Sequence, residues 1–143
     1  MIFVESYVSI LRLSGISGIG VDIIEISRIK KAIESSGDRF LQKIFTSEER
    51  KYCEEKRLSY SSYAARFAAK EAALKAMGIG VAFGARFTDI EVYHETAGAP
   101  GIKLYNKTAK IAREKGIVEI KLSLSHDQNQ AIAFAVALVH EFT

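Results

Sequence analysis

The chain has 143 residues, 48% apolar and 26% charged, with 20 Lys and Arg against 17 Asp and Glu and hence a net charge of +3. That is the make-up of a globule with one core. The slight basic excess admits an anionic ligand or an acidic protein partner, but it falls short of the concentrated basic patch that nucleic acid demands. A single cysteine, Cys53, rules out an intrachain disulfide and suits a reducing, cytoplasmic setting.

In chain order, the first fifteen residues are apolar but carry Glu5 and Arg12, and they lack the basic leader and cleavage site of a secretory signal. Gly18 to Ile26, GIGVDIIEI, predicts a buried strand that contains one acid, Asp22. Gly18 and Gly20 start a dinucleotide fingerprint, but Ile23 stands where its third glycine belongs, so that reading is rejected. Ser27 is the expected N-cap of a helix running to about Ser36. Arg28, Lys30 and Lys31 near its start oppose the helix dipole and form either a solvated face or a docking surface.

Gly37 breaks that helix, and Asp38 is placed to cap a short one, DRFLQKIF. Thr46 and Glu49 make a capping box that opens a helix to about Lys56. Ser59 to Ser62 lead into a long helix ending at Met77, with Gly78 as its stop. Gly78, Gly80 and Gly84 mark a loop able to cradle phosphates. Alternation over 88–95, a GAPG turn and a short return at 102–105 predict a hairpin. A helix over 106–115 follows, then a half-buried strand over 118–125 and a turn at 127–129. The last predicted strand, 131–139, reads as buried on both faces and is too short to span a bilayer. The order of elements is α+β.

Two carboxylates carry the chemical interest. Asp22 interrupts an apolar strand, where an acid is costly unless paired, metal-bound or solvated at the strand end. Glu71 lies in RFAAKEAALKAMG (66–78), one turn from Lys75. Each alone reads slightly better as an ordinary surface or hydrogen-bonded acid. Together, with Arg66, Lys70 and Lys75 nearby, they suit a Mg²⁺ and phosphate site. Arg66 lies about 140° around an ideal helix from Glu71, so it cannot serve the same atoms. Ser125-His126-Asp127 is rejected as a hydrolase triad, since triads assemble in space rather than in contiguous sequence. His126 is left as a phosphate or ribose contact or a turn histidine, and no role is assigned to His94 or His140.

The set GIGVDIIEISRI (18–29), FTSEER (45–50), ARFAAKEAALKAMG (65–78), FTDIEV (87–92), GAPGI (98–102) and LSLSHD (122–127) resembles the 4'-phosphopantetheinyl transferase superfamily, closest to its short bacterial type, the holo-[acyl-carrier-protein] synthases. The resemblance implies that family's α+β fold in one domain over 17–143, preceded by an extension over 1–16. It implies Mg²⁺-dependent transfer of 4'-phosphopantetheine from coenzyme A to a serine of apo acyl carrier protein, for fatty acid biosynthesis. Carried over residue by residue, Asp22 and Glu71 are the metal ligands, and Glu71 and Lys75 the catalytic pair. Arg66, Lys75, Gly78, Gly80, Pro100 and His126 bind coenzyme A. Arg28, Arg39, Phe40 and Phe67 meet the acidic carrier protein. A cytoplasmic homotrimer with sites between subunits is implied, with no nucleic acid and no membrane partner. The competing reading is a non-catalytic coenzyme A or nucleotide-binding module.

Overall fold

The computed structural model describes residues 15–80 and 84–140. Its elements are β1 (Gly15–Glu25), α1 (Ile26–Ser36), α2 (Asp38–Ile44), α3 (Ser47–Glu54), α4 (Ser59–Met77), a 3₁₀ turn (Phe87–Asp89), β2 (Ile90–His94), β3 (Pro100–Leu104), α5 (Asn106–Glu114), β4 (Ile117–His126) and β5 (Gln130–Val139). β1, β5 and β4 form an antiparallel sheet in that order, and β2 and β3 form a separate hairpin. The α+β architecture therefore stands. β1 begins two residues inside the stretch read as an extension, and residues 1–14 lie outside the described residues.

Small residues let α4 lie directly on the sheet. Ala131, Ala133, Ala135 and Ala137 of β5 are wholly buried beneath it, as are Ala68, Ala69, Ala72 and Ala73 of α4 itself. Beside them, a Cβ on Gly18 would collide with the carbonyl oxygen of Ala76, and one on Gly20 with that of Ala72. A two-residue step along a strand covers roughly 6.6 Å and a four-residue step along a helix roughly 6 Å, so the two backbones keep register over this contact. The glycines that imitate a dinucleotide fingerprint thus serve helix–sheet approach. The next inward residues of β1 are Asp22 and Ile24.

Two strand expectations are corrected by this packing. β1 and β5 are buried on one face only. Ile19, Val21 and Ile23 are 61%, 51% and 57% exposed, and Ile132 and Phe134 are 39% and 44% exposed. In β5 the large residues face outward while the alanines face α4. An unbroken apolar run reads as doubly covered, but here the described residues cover one side only.

The capping box forms as read: Thr46 Oγ1 accepts from Glu49 N, and Glu49 Oε1 accepts from Thr46 N at 2.9 Å. Gly78 ends α4 at φ 69°, in the left-handed region where glycine is favoured. Ser27 does not cap α1. That helix starts at Ile26, whose N–H donates to Asn129 O across the sheet's end at 2.8 Å, so a tertiary bond replaces the cap. Asp38 is likewise the first residue of α2 rather than its cap, and it accepts from Arg50 Nη2 at 2.8 Å.

Cys53 is wholly buried, and loss of hydration pushes its thiol up to about 12. Ellman's reagent at pH 8 is expected to leave it unmodified in the folded protein and to titrate one thiol per chain in denaturant. Rapid native labelling would show this part of α3 to be open. Among the described residues, no helix is long and apolar enough to cross a membrane.

Candidate active site

Asp22 leaves the inner face of β1 just beyond the two glycine contacts, and α4 presents Glu71 and Lys75 beside it. Lys75 Nζ donates to Val21 O at 2.8 Å and to Asp22 Oδ1 at 3.3 Å. Asp22 keeps only 19% of its side chain exposed, whereas Lys75 keeps 53%. Burial raises the Glu71 carboxyl above its ordinary value. The charge of Asp22 adds to that rise, and Lys75 offsets part of it. Two acids thus face each other at the end of a groove where hydration is reduced.

This groove has a volume of about 440 Å³. Besides Asp22, Glu71 and Lys75, it is lined by Arg28 and Ile29 of α1, Phe40 of α2 and Phe67 of α4. It therefore joins residues assigned by resemblance to metal and to the carrier protein, drawn from β1, α1, α2 and α4. Arg39 stands exposed on α2 beside Phe40 and does not line the groove.

Arg66 and Lys70 face elsewhere, so the cluster of cations read from α4 divides. Lys70 is wholly buried and donates to Glu49 Oε1 at 2.5 Å, Ile44 O at 2.6 Å and Phe87 O at 2.9 Å. Its expected part in a phosphate site is corrected: it is a buried structural cation. Arg66 is 2% exposed. Its guanidinium lies 4.0 Å from the Tyr52 ring centroid, and its Nη2 is 3.0 Å from His94 Nδ1. The His94 ring stacks on Tyr52 at 4.7 Å, and Lys56 reaches the same tyrosine at 4.5 Å. Burial, then Arg66 and Lys56, push His94 below its ordinary pKa. Arg66 Nε is buried with no hydrogen-bond partner.

The remaining candidates are dispersed over the one chain. Gly78 and Gly80 lie at the end of α4, Pro100 opens β3 opposite His94, and His126 ends β4. His126 pairs with Ala131 at the end of the sheet and shares a shallow depression of about 170 Å³ there with Ile23 and Ile132. Asp127, its neighbour, closes the β4–β5 turn by accepting from Asn129 N and Gln130 N, each at 2.8 Å. Those bonds hold its carboxyl below the usual range and explain the SHD triplet without a triad.

Residues 18–135 match the model of the 4'-phosphopantetheinyl transferase superfamily. This chain belongs to that superfamily. A holo-[acyl-carrier-protein] synthase of Desulforudis audaxviator is 45% identical over 123 residues, 86% of this chain and 93% of the relative. The crystal structure of the Neisseria meningitidis holo-[acyl-carrier-protein] synthase matches with a TM-score of 0.80 and 34% identity, over 86% of this chain and 98% of that one. The Helicobacter pylori holo-[acyl-carrier-protein] synthase, solved in complex with coenzyme A, matches with a TM-score of 0.74 and 34% identity, over 83% and 98%.

In this superfamily member, sequence reasoning missed the Lys70–Glu49 pair and the Tyr52–His94–Arg66 stack. Glu49 was fully accounted for by the capping box, so no local signal announced its second partner. His94 alternates inward with Ile90 and Val92 along β2, which is the one hint that it packs rather than floats.

Proposed function

We propose that this chain transfers the 4'-phosphopantetheine arm of coenzyme A to a serine of an apo acyl carrier protein, in fatty acid biosynthesis, the activity after which its relatives are named. The observation that carries the reading is the groove itself. Paired carboxylates and an ammonium at one end adjoin a basic and aromatic wall at the other. The donor set suits Mg²⁺. Two oxygen acids press on each other there. Mg²⁺ accepts such partial sets, completed by phosphate and water. Bound by Asp22 and Glu71, it would supply charge neutralisation at the pyrophosphate.

The chain's own residues do the rest. Lys75 donates to a phosphate oxygen. The serine oxygen forms a bond to the β-phosphorus while the bond to the departing adenosine 3',5'-bisphosphate breaks. Asp22 already accepts from Lys75, so Glu71 is the carboxylate left to take the serine proton. Arg28, Arg39, Lys30 and Lys31 attract the acidic carrier protein, and Phe40 and Phe67 give it apolar contact. Arg66 is 2% exposed against Tyr52 and His94, so in this stack the exposed Lys56 is the cation that would reach a coenzyme A phosphate remote from the pyrophosphate.

Gly78, Gly80, Pro100 and His126 would meet the coenzyme with help from a second copy. The exposed apolar face of β1 and β5 is open to another copy, as the homotrimer implied by the resemblance requires, and His126 borders that face. Phe134→Lys is expected to leave the far-UV spectrum unchanged, to shift the sedimenting species to monomer and to remove most activity. An unchanged oligomer would refute this interface. A cytoplasmic location suits the reduced Cys53.

The deciding experiment is a mass spectrum of apo acyl carrier protein incubated with the protein, coenzyme A and Mg²⁺. Gain of one phosphopantetheine is expected. A carrier mass that never changes, alongside measurable coenzyme A binding, would favour the non-catalytic binding module.

A further inference from the structure

Lys75 makes an unusual use of its ammonium. Its two hydrogen bonds go to β1, to the Val21 carbonyl and the Asp22 carboxylate, across the sheet–helix seam. Glu71, one turn away on the same helix, feels it only through space. The Asp22 contact is long, 3.3 Å, and the lysine is half exposed, which makes the pair weak and readily exchanged. A divalent cation held by Asp22 and Glu71 competes for the same carboxylate.

We propose that Lys75 is an exchangeable counter-ion of the Asp22–Glu71 pair: it neutralises Asp22 until a divalent cation takes that place, and the displaced ammonium then becomes a phosphate donor. The inference rests on the assignment of Asp22 and Glu71 to metal and adds a second role for Lys75. Before the exchange, the lysine screens two acids that would otherwise repel each other in a poorly hydrated groove. After it, the ammonium can keep the Val21 carbonyl with one donor, while its other donors, on a half-exposed four-carbon stem, can turn toward the coenzyme. Metal and coenzyme A binding are thereby coupled through one side chain, because the first ligand releases the group that the second uses.

The exchange makes a prediction opposite in sign to simple charge counting. If Lys75 always faced phosphate, its loss would hurt coenzyme A binding most when no metal shares the neutralisation. If metal must first release it, the loss hurts most when metal is present. The test compares the full-length protein with Lys75→Gln in two titrations. Mn²⁺ binding without coenzyme A, followed by electron paramagnetic resonance, is expected to be roughly two- to fivefold tighter in the variant. Coenzyme A binding by calorimetry, with no carrier protein present, is expected to weaken roughly tenfold in saturating Mg²⁺ and by less than about threefold in EDTA. Mn²⁺ affinity that is unchanged or lowered in the variant overturns the proposal, and so does a coenzyme A penalty equal or larger in EDTA. Wild-type protein that binds no Mn²⁺ and takes up coenzyme A equally with and without Mg²⁺ overturns the metal assignment as well, which distinguishes that failure from failure of the exchange alone.

Discussion

Glu71→Gln is expected to lower kcat/KM for phosphopantetheine transfer by roughly a hundredfold to a thousandfold or more, the usual scale for removing a group that stabilises developing charge. The substitution keeps the shape and deletes the anion. It removes one of two candidate metal oxygens with full charge and the candidate proton acceptor together. The fold gains little from that charge, which Lys75 supports only in part. Burial and Asp22 both act against the ionised form of Glu71, so a neutral amide relieves repulsion rather than breaking a bond. The melting temperature is therefore expected to stay level or rise slightly. That combination separates the residue from its structural neighbours on the helix, whose loss would lower stability and activity together. The measurement pairs initial rates of carrier-protein modification with a thermal melt. Turnover that matches the wild type would take Glu71 out of the chemistry and leave Asp22 without its partner.

The chemistry of α4 was legible because chemistry obeys spacing. Glu71 and Lys75 are one turn apart, and the angle between Glu71 and Arg66 already places Arg66 on another side. Asp22 was legible as an anomaly, an acid in an apolar strand, but its neighbour across the seam depends on a strand–helix contact that no local pattern encodes. Gly18 and Gly20 illustrate the limit. Sequence alone offers a fingerprint for nucleotides and no reason to prefer a fingerprint for helices, since both need a backbone without a side chain. The burial of β5 failed for a related reason. Alternating alanine and large apolar residues give no sign of which set faces inward. The answer comes from α4, whose own alanines can approach a small-residue surface closely and could not approach one made of Ile132 and Phe134. Lys70 was misplaced because a lysine in a charged stretch is ordinarily solvated, and its acceptors come from three separate places in the chain.

The burial of Lys70 against Glu49 leads to a large stability effect. Lys70→Met is expected to destabilise the fold by about 3–5 kcal/mol, the scale for leaving one member of a buried ion pair behind. Both side chains are fully buried, and Lys70 has three acceptors for its three protons: Glu49 Oε1, Ile44 O and Phe87 O. Burial pulls the lysine below its ordinary pKa, and Glu49 opposes that pull, so the ammonium persists because the carboxylate is there. Methionine fills a similar volume but strands the anion and two carbonyls at the meeting point of α2, α3 and the 3₁₀ turn. Urea unfolding gives the loss, and the double variant Glu49→Met, Lys70→Met gives its origin. If uncompensated charge dominates, the double variant is more stable than the sum of the single losses predicts. It does not return to wild type, because Glu49 Oε2 also accepts from Val92 N at 2.9 Å and Oε1 from Thr46 N. Those two amides lose their partner whenever Glu49 goes. A single-variant loss below about 1 kcal/mol would mean that water reaches the site and the pair is not buried in solution. A loss on the larger scale, with Mn²⁺ affinity retained by the folded fraction, would place Lys70 in the scaffold that carries Glu71 and outside the metal site itself.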